Sequence, residues 1–499
     1  MKIKYLLSVI AIVAITQNSF AQYAQDAVRF STGQTGSTAR IKGVGNAGTA
    51  IGGDLSSVSG NPAGLGFFTH SELSITPEYN NIKVNSSYLN SSKFDTKSTG
   101  NLNHAAFVIY QQLDRPKGSD KTKGWLSFNY GGGYSRTANF YENINYAGKN
   151  SNNSINDYYA NLANDPNGSG IAVGTLSGNA YDHNLIDNYG TNANPLYKSN
   201  SLPGVNQQSI ATRSGGLSAL DFAFGANYSN KFYIGAGVSF VNVRFNSLSN
   251  FYEDGGISVL EGPAGSQVPV SRNYSSNFTQ DQDTKGSGVS GRLGVIFKPA
   301  DAFRIGAVIH TPTYYTIDDS YSESLGTTIS NGSRFEDGPQ NYSLTYTMRT
   351  PWKFAGGASI FIKSFGFITG DIEYVDYSST HISSDENFNA DRDDNPNIRS
   401  LYQSAVNYHL GAEARLTSFF LLRGGYGIQG KARRDGNDSD IKTVSGGMGL
   451  RFGQYYLDAT YTHATGSQTV FPYEVGSASP SALLNKTLNN GYLTLGYRF

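Results

Sequence analysis

The closing stretch of the chain, GYLTLGYRF (residues 491–499), places Leu493, Leu495, Tyr497 and Phe499 on one face of an extended backbone and Thr494, Gly496 and Arg498 on the other. Side chains of a β-strand point alternately to opposite faces, so this reads as a strand with one apolar surface. KFYIGAGVSF (231–240) repeats the pattern, with Phe232, Ile234, Ala236, Val238 and Phe240 opposite Lys231, Gly235 and Ser239. A soluble sandwich would alternate in the same way. The connections separate the two. Fourteen alternating segments follow one another from residue 72 to the C-terminus. Very short turns (SN at 229, PAD at 299, KSF at 363, TSF at 417, GQ at 453) exchange with long polar stretches. Tight turns on one side and long loops on the other are the habit of bacterial outer-membrane barrels, and ten-residue segments are long enough to cross a bilayer when tilted. The expectation is an all-β fold, a 14-stranded antiparallel transmembrane β-barrel over residues 71–499 with both ends in the periplasm. Pro351 lacks the N–H a ladder requires, so the paired membrane portion of the eighth strand is expected to begin near Trp352.

Composition agrees. The 499 residues include 34 Tyr, 28 Phe and 58 Gly with only 38% hydrophobic residues, a mixture suited to sheets and turns. The 38 basic and 38 acidic side chains cancel, so no net field attracts nucleic acid. With no cysteine, disulfides, thiolate metal sites and a lipoprotein anchor are excluded. The N-terminus, MKIKYLLSVIAIVAITQNSFAQ, sets Lys2 and Lys4 before an apolar run and small residues, Ser19 and Ala21, before a cut. It reads as a secretory signal peptide over residues 1–21, too short for a membrane anchor.

Between the signal peptide and the first strand lies GVGNAGTAIGGDLSSVSGNPAGL (43–65), crowded with small residues around a rigid Asn61-Pro62-Ala63-Gly64 corner. Small residues permit close backbone approach, and Pro62 fixes a corner at low entropic cost. The segment resembles the N-terminal hatch of the FadL/TodX-type outer-membrane transporters of long-chain fatty acids and aromatic hydrocarbons, at Gly43, Gly45, Ala47, Gly48, Ala50, Asp54, Asn61, Pro62, Ala63 and Gly64. Ser59 and Gly60 stand where that family has bulky residues. DIEYVDYS, LRGGYGIQG and VSGGMGLRFGQYYLDATYTH look like its late strands. The resemblance implies a hatch over residues 22–70 that plugs the lumen. It also implies passive transport by capture in outer loops, binding in the lumen and lateral exit.

GVGNAG fits a dinucleotide fingerprint in letters, but no strand precedes it and no amphipathic helix follows. DRDDNPN (391–397) offers Asp391, Asp393 and Asn395 as in a calcium loop, yet Pro396 replaces the glycine and Tyr402 the bidentate Glu. No nucleophile motif appears, and the reading is of a non-enzyme without cofactor or metal. Alternation aims Arg292, Arg304, Arg415, Arg423, Arg451 and Arg498 into the lumen near the short turns, level with Asp371, Glu373, Glu413 and Asp458. Such a belt would brace the barrel and pair with Asp54 of the hatch. Segments 247–286 and 316–341 match the family's capture loops by position and carry Phe251, Ile257, Val259, Leu260, Leu325, Ile329 and Phe335. Three consecutive glycines weaken a strand interior, and the resemblance implies an inward kink of the third strand that opens a lateral window where Gly131, Gly132 and Gly133 fall. Expected partners are a hydrophobic small molecule, outer-membrane lipids and the barrel assembly machinery, with the chain a monomer. The competing reading is a general porin or a surface adhesion barrel.

Overall fold

The computed structural model describes residues 21–499 apart from 115, 117, 119, 121, 167, 264–265, 385–389, 391 and 393. The predicted signal peptide lies outside the described residues except for Ala21, as do two of the three calcium-like positions, Asp391 and Asp393.

Fourteen strands close a ring. Wall strands 1 and 2 are Glu72–Tyr88 and Ser91–Gln112. Wall strand 3 is Trp125–Asn139 continued by Glu142–Asn150, and wall strands 4, 5 and 6 are Val205–Tyr228, Phe232–Glu261 and Val268–Ala300. Wall strand 7 is Phe303–His310 continued by Tyr314–Ile329, and wall strand 8 is Arg334–Arg349 continued by Lys353–Ile362. Wall strands 9 to 14 are Gly366–Asp376, Ser404–Arg415, Phe420–Gln429, Ile441–Phe452, Tyr455–Val470 and Ala482–Arg498. Every neighbour is antiparallel, and wall strand 14 returns to wall strand 1 with Arg498 opposite Glu72. The break in wall strand 8 falls at Thr350–Trp352, where Pro351 stops the ladder.

Outward faces are apolar through the middle of the wall, as at Leu293, Ile305, Ile360, Leu410 and Leu495, all at least 47% exposed. Exposed aromatics border this band. Trp125, Phe297, Phe365, Phe419, Phe452 and Phe499 lie toward the short turns, and Tyr79, Tyr314, Trp352, Tyr408, Tyr426 and Tyr461 about one bilayer crossing away. Thr494, by contrast, faces inward and is fully buried, as the alternation of the last strand requires.

The outer connections depart from the expected long loops. Wall strands 5 and 6 run for 30 and 33 residues, about three times what a bilayer crossing requires. Residues 247–286 and 316–341 are therefore mostly laddered hairpins, with Phe251 opposite Phe278 and Leu325 opposite Asp337. The segment 151–204 is the true long connection; it folds into helices Ile155–Ala163 and Leu176–Asp182 and a small hairpin. These helices pack on the inner faces of the hairpins and form an apolar cap.

From Ala21 to Phe68 the chain runs inside the ring. Helix Ala21–Ser31 buries Ala24, Ala27, Val28 and Phe30 against wall residues such as Val243, Ile317 and Tyr346 and against helix Asp394–Leu401. A short helix, Ala39–Gly43, and two 3-10 turns, Leu55–Val58 and Pro62–Phe67, then descend through the lumen.

Candidate functional site

The Asn-Pro-Ala-Gly corner is built residue by residue into the wall. Asn61 caps the 3-10 turn Pro62–Phe67, its Oδ1 accepting from the Ala63 N–H at 3.1 Å. Its Nδ2 donates to the carbonyls of Thr49 at 2.8 Å, Val295 at 3.3 Å and Ala307 at 3.4 Å, so one amide joins the segment to wall strands 6 and 7. Pro62 occupies the first position of the turn, where its missing N–H costs nothing. A Cβ at Gly64 would stand 2.9 Å from the Ser57 Cβ, so that position has room only for glycine. The wall supplies its own glycines in return. Gly225, Gly235 and Gly294 are cross-strand neighbours on wall strands 4, 5 and 6; the first two leave room for the backbone around Pro62 and Ala63, and Gly294 leaves room for the side chains of Asn61 and Pro62. Gly411 and Gly425 pair on wall strands 10 and 11 and receive Val44 and Gly45 in the same way.

Charge fixes the rest. Asp54 is buried and caps the turn Leu55–Val58, its Oδ1 accepting from Thr38 Oγ1 at 2.8 Å, the Ser56 N–H at 3.0 Å and Ser56 Oγ at 2.7 Å. Its cation is not one of the six wall arginines. Arg40, four positions before Val44, stands 3.8 Å away and donates to Glu413 at 2.9 and 3.1 Å. Glu413 also accepts from Arg423 at 2.7 Å, Arg423 donates to Asp458 at 2.8 Å, and Asp458 accepts from Arg451 at 2.9 Å. Burial pulls Arg40 down, but the adjacent Glu413 carboxylate outweighs it and holds the guanidinium above its usual range. Arg423 and Arg451, two of the six arginines expected in a belt, thus form with Glu413 and Asp458 an alternating chain of charges that Asp54 joins through Arg40.

The other wall arginines divide. Arg292 is buried, donates to Asp221 at 3.0 Å and reaches the Val58 carbonyl. Arg304 donates to the Ile51 carbonyl and lies over the rings of Phe67 and Phe361, 4.2 and 4.0 Å from their centroids. Arg498 pairs with Glu72 at 3.0 Å at the rim. Arg415 is exposed and stands outside the belt, because wall strand 10 ends there and its side chain passes into solvent at the turn. Of the acids placed at that level, Asp371 accepts from the Thr49 N–H at 2.8 Å, and Glu373 accepts from Asn407.

The lateral window expected at Gly131–Gly133 is not at these residues. Gly131, Gly132 and Gly133 pair with Val108, Phe107 and Ala106 on one side and with Ala223, Phe222 and Asp221 on the other, an unbroken ladder on both flanks. The glycines instead admit close neighbours: a Cβ at Gly131 would meet Val58 at 3.2 Å, and one at Gly133 would meet the Ala106 Cβ at 2.7 Å.

The wall opens higher on the same strand. The last rung between wall strands 2 and 3 is His104 opposite Ser135. Above it, among the described residues, 91–103 ladder to wall strand 1 alone and Glu142–Asn150 to wall strand 4 alone. The seam begins below the outer aromatic belt, since Tyr79 of that belt pairs with Gly100. Glu142–Asn150 turns inward and laps behind wall strands 1 and 14. Ile144 and Tyr146 bury against Ile82, Val84, Tyr88, Ala482 and Leu484, with the rings of Tyr88 and Tyr146 5.0 Å apart. A Cβ at Gly148 would approach the Leu89 Cβ to 2.8 Å. Polar contacts latch the lap: Glu142 holds Lys486 at 2.7 Å and Arg213 at 2.6 Å, and Asn143 donates to Asp95 at 3.3 Å. Burial raises the Glu142 carboxyl, but Lys486 and Arg213 overcome it and hold the group down at about 2.

A cavity of about 510 Å³ lies above the segment and runs to this seam, lined by Asn103, Arg136 and Phe140 at the seam, Lys42 and Asn46 at its floor, and Lys431 and Ser439 toward the outside. That volume is typical of small-molecule sites. Seven cations against three carboxylates line it. None of the residues placed in the capture groove borders it. Phe251, Ile257, Val259, Leu325 and Ile329 are buried in the cap with Phe335 packed beside them, and Leu260 is 49% exposed on the outside. Sequence reasoning missed Arg40, Lys42, the receiving wall glycines and the seam. Only the glycines left a signal, as inward-facing positions of alternating strands.

No family model matches the chain, and no curated protein does. Solved structures do. A FadL homologue of Pseudomonas aeruginosa is 13% identical, matching 94% of this chain and 98% of its own with a TM-score of 0.53. The toluene transporter TodX of P. putida is 11% identical over 94% of this chain and 99% of its own, also with a TM-score of 0.53. At such identities the likeness is one of fold: a closed, 14-stranded antiparallel β-barrel.

Proposed function

We propose that this chain is a bacterial outer-membrane channel for hydrophobic small molecules. The N-terminal segment acts as a hatch, the cavity above it holds the ligand, and the ligand leaves sideways into the membrane through the seam between wall strands 2 and 3. The observation that carries this reading is the combination of a lumen filled from below with a cavity whose side wall lacks ladder bonds at membrane level. The fold shared with a FadL homologue and with a toluene transporter supports it. Burial of apolar ligand area, about 25 cal/mol per Å², supplies the driving force, and no catalytic step, cofactor or metal is assigned.

Residues 1–21 act as the export signal, and the barrel assembly machinery inserts the chain as a monomer among outer-membrane lipids. Ligand comes in beside the connection 430–440, where the cavity reaches the outside, and the apolar hairpins around Ile257 and Leu325 serve as a capture surface only where the cap helices part from them. A general porin needs an open polar lumen, which wall contacts such as Asn61 to Val295 and Arg304 to Ile51 oppose. The test is paired: single-channel recording in planar bilayers, where the protein passes no large steady current, and uptake of a hydrophobic probe by cells, which requires the protein. A large steady current would favour the porin.

A further inference from the structure

The first helix of the chain, Ala21–Ser31, stands among buried acids that the rest of the protein does not balance. Asp26 of this helix and Asp319 of wall strand 7 are 2% and 4% exposed. One amide joins them: Gln282 Nε2 donates to Asp26 at 2.7 Å and to Asp319 at 3.1 Å. Asp26 has a cation, Arg29, whose guanidinium also lies over the Phe245 ring, 4.2 Å from its centroid. Asp319 has none among the described residues. Its Oδ1 accepts from Thr284, while its Oδ2 is buried without a hydrogen-bond partner. A third acid, Asp394 of helix Asp394–Leu401, is fully buried nearby. The Tyr23 hydroxyl has Asp319, Asp26 and Asp394 as its charged neighbours, and its ring meets the Tyr346 ring edge-on at 5.6 Å between centroids. The acids therefore gather around the start of the helix. A carboxylate withdrawn from water costs free energy until a cation reaches it.

Side chains of a helix lean toward its N-terminal end, so Asp26 covers the turn that begins at residue 22, four residues and about 6 Å earlier on the same face. Hydrolysis of the bond between residues 21 and 22, the cut expected of the export protease, leaves a carboxylate on the released peptide and an amine, which takes up a proton, on Gln22. A cation at the positive end of a helix is unfavourable unless acids outweigh the dipole, and two buried carboxylates stand there. We propose that Asp319 and Asp26 form a binding site for the processed N-terminus of the chain itself, with the Gln22 ammonium as the missing counter-charge. The inference rests on the export-signal reading above and gives the cut a second role. An uncut chain presents a neutral peptide nitrogen and leaves Asp319 uncompensated, so the helix seats fully in the lumen only after processing.

The experiment reads the chemistry of that amine in the whole mature protein, purified from outer membranes in detergent. Reductive methylation at pH 7, digestion and mass spectrometry report labelling of the N-terminal peptide, residues 22–29. The native wild-type amine should react at least about tenfold more slowly than in denatured protein, because an ion pair keeps it protonated. Asp319→Asn keeps the shape and removes the charge, and should bring the rate to within about threefold of the denatured one. Asp319→Glu should keep the protection, and Asp318→Asn, on the exposed face of the same strand, should leave it unchanged. Gel mobility before and after heating checks that each barrel is folded. A native amine that reacts as fast as the denatured one, protection that survives Asp319→Asn, or a Gln22 cyclised with loss of ammonia would overturn the inference with the export-signal reading intact. An N-terminal peptide that begins at another residue would overturn both.

Discussion

Wall strand 3 is held in two different ways along its length. Its lower part, Trp125–Asn139, carries three consecutive glycines and yet ladders to both neighbours. Its upper part, Glu142–Asn150, is rich in side chains that pack, and it ladders to one neighbour only. Openness therefore does not follow local chain flexibility. The backbone hydrogen bonds of a barrel stay closed wherever register continues, and glycine only decides how near another group can come. A gap appears where the strand changes course, here at Phe140 and Tyr141, and side-chain contacts then replace the ladder.

The largest effect is expected in the glycine-lined lower wall. Gly294→Leu drives a side chain into Asn61 and Pro62 and removes the space into which the corner fits. Overpacking of a closed site costs about 1–3 kcal/mol or more, and the variant should lose seating of the hatch, seen as a leak of small hydrophilic solutes. A tight, leak-free Gly294→Leu barrel would mean that the corner does not depend on the wall glycines.

Next comes the seam. Tyr146→Ala empties a buried aromatic position in the lap and should cost about 3 kcal/mol of local stability. Hydrogen exchange should speed up in 91–103 and 142–150 and stay unchanged at 131–133, sharpening the contrast between the two halves. Uniform protection across all three would erase it.

The seam also has a pH dependence of known sign. Glu142 is held at about 2, below its ordinary 4.5, so the stability it adds is complete above about 4.5 and is lost as pH falls toward 2. Probe access to a label at the lap should rise across that window and not between pH 5 and 8, and Glu142→Gln should abolish the rise. The smallest effect is expected from Gly132→Val. A Cβ there faces the rings of Phe107 and Phe222 at 3.3 Å on the outer surface, so uptake should stay near wild type. Blocked uptake in a folded Gly132→Val barrel would return the exit to the glycines.

Much of this was legible in the sequence, for identifiable reasons. Period-two alternation and short turns report the wall directly, because each residue takes its face from its neighbours. The packing of the N-terminal segment inside the ring was legible because a compact insert without its own core needs small residues, and Asn61, Pro62 and Gly64 each sit in close contact with the wall or the segment itself. The partner of Asp54 was missed because only wall strands have a face that alternation can assign; Arg40 sits in a short helix whose orientation depends on Glu413, hundreds of residues away. The length of the outer strands left no signal because a strand standing above the bilayer has water on its outer face and is free to be polar on both, which removes the period-two alternation. The seam was invisible for a similar reason: it is a missing pairing between residues about forty apart, and no residue type marks it.

The most direct test joins the two lips of the seam. The chain has no cysteine, so Asp95→Cys with Asn143→Cys introduces the only thiols, at side chains that touch across the gap. A short thiol cross-linker applied to cells should stop uptake of a hydrophobic compound while the purified, cross-linked barrel still binds it, and the single variants should be unaffected. Uptake that continues at the wild-type rate through a fully cross-linked seam would contradict the account and place the exit elsewhere in the wall.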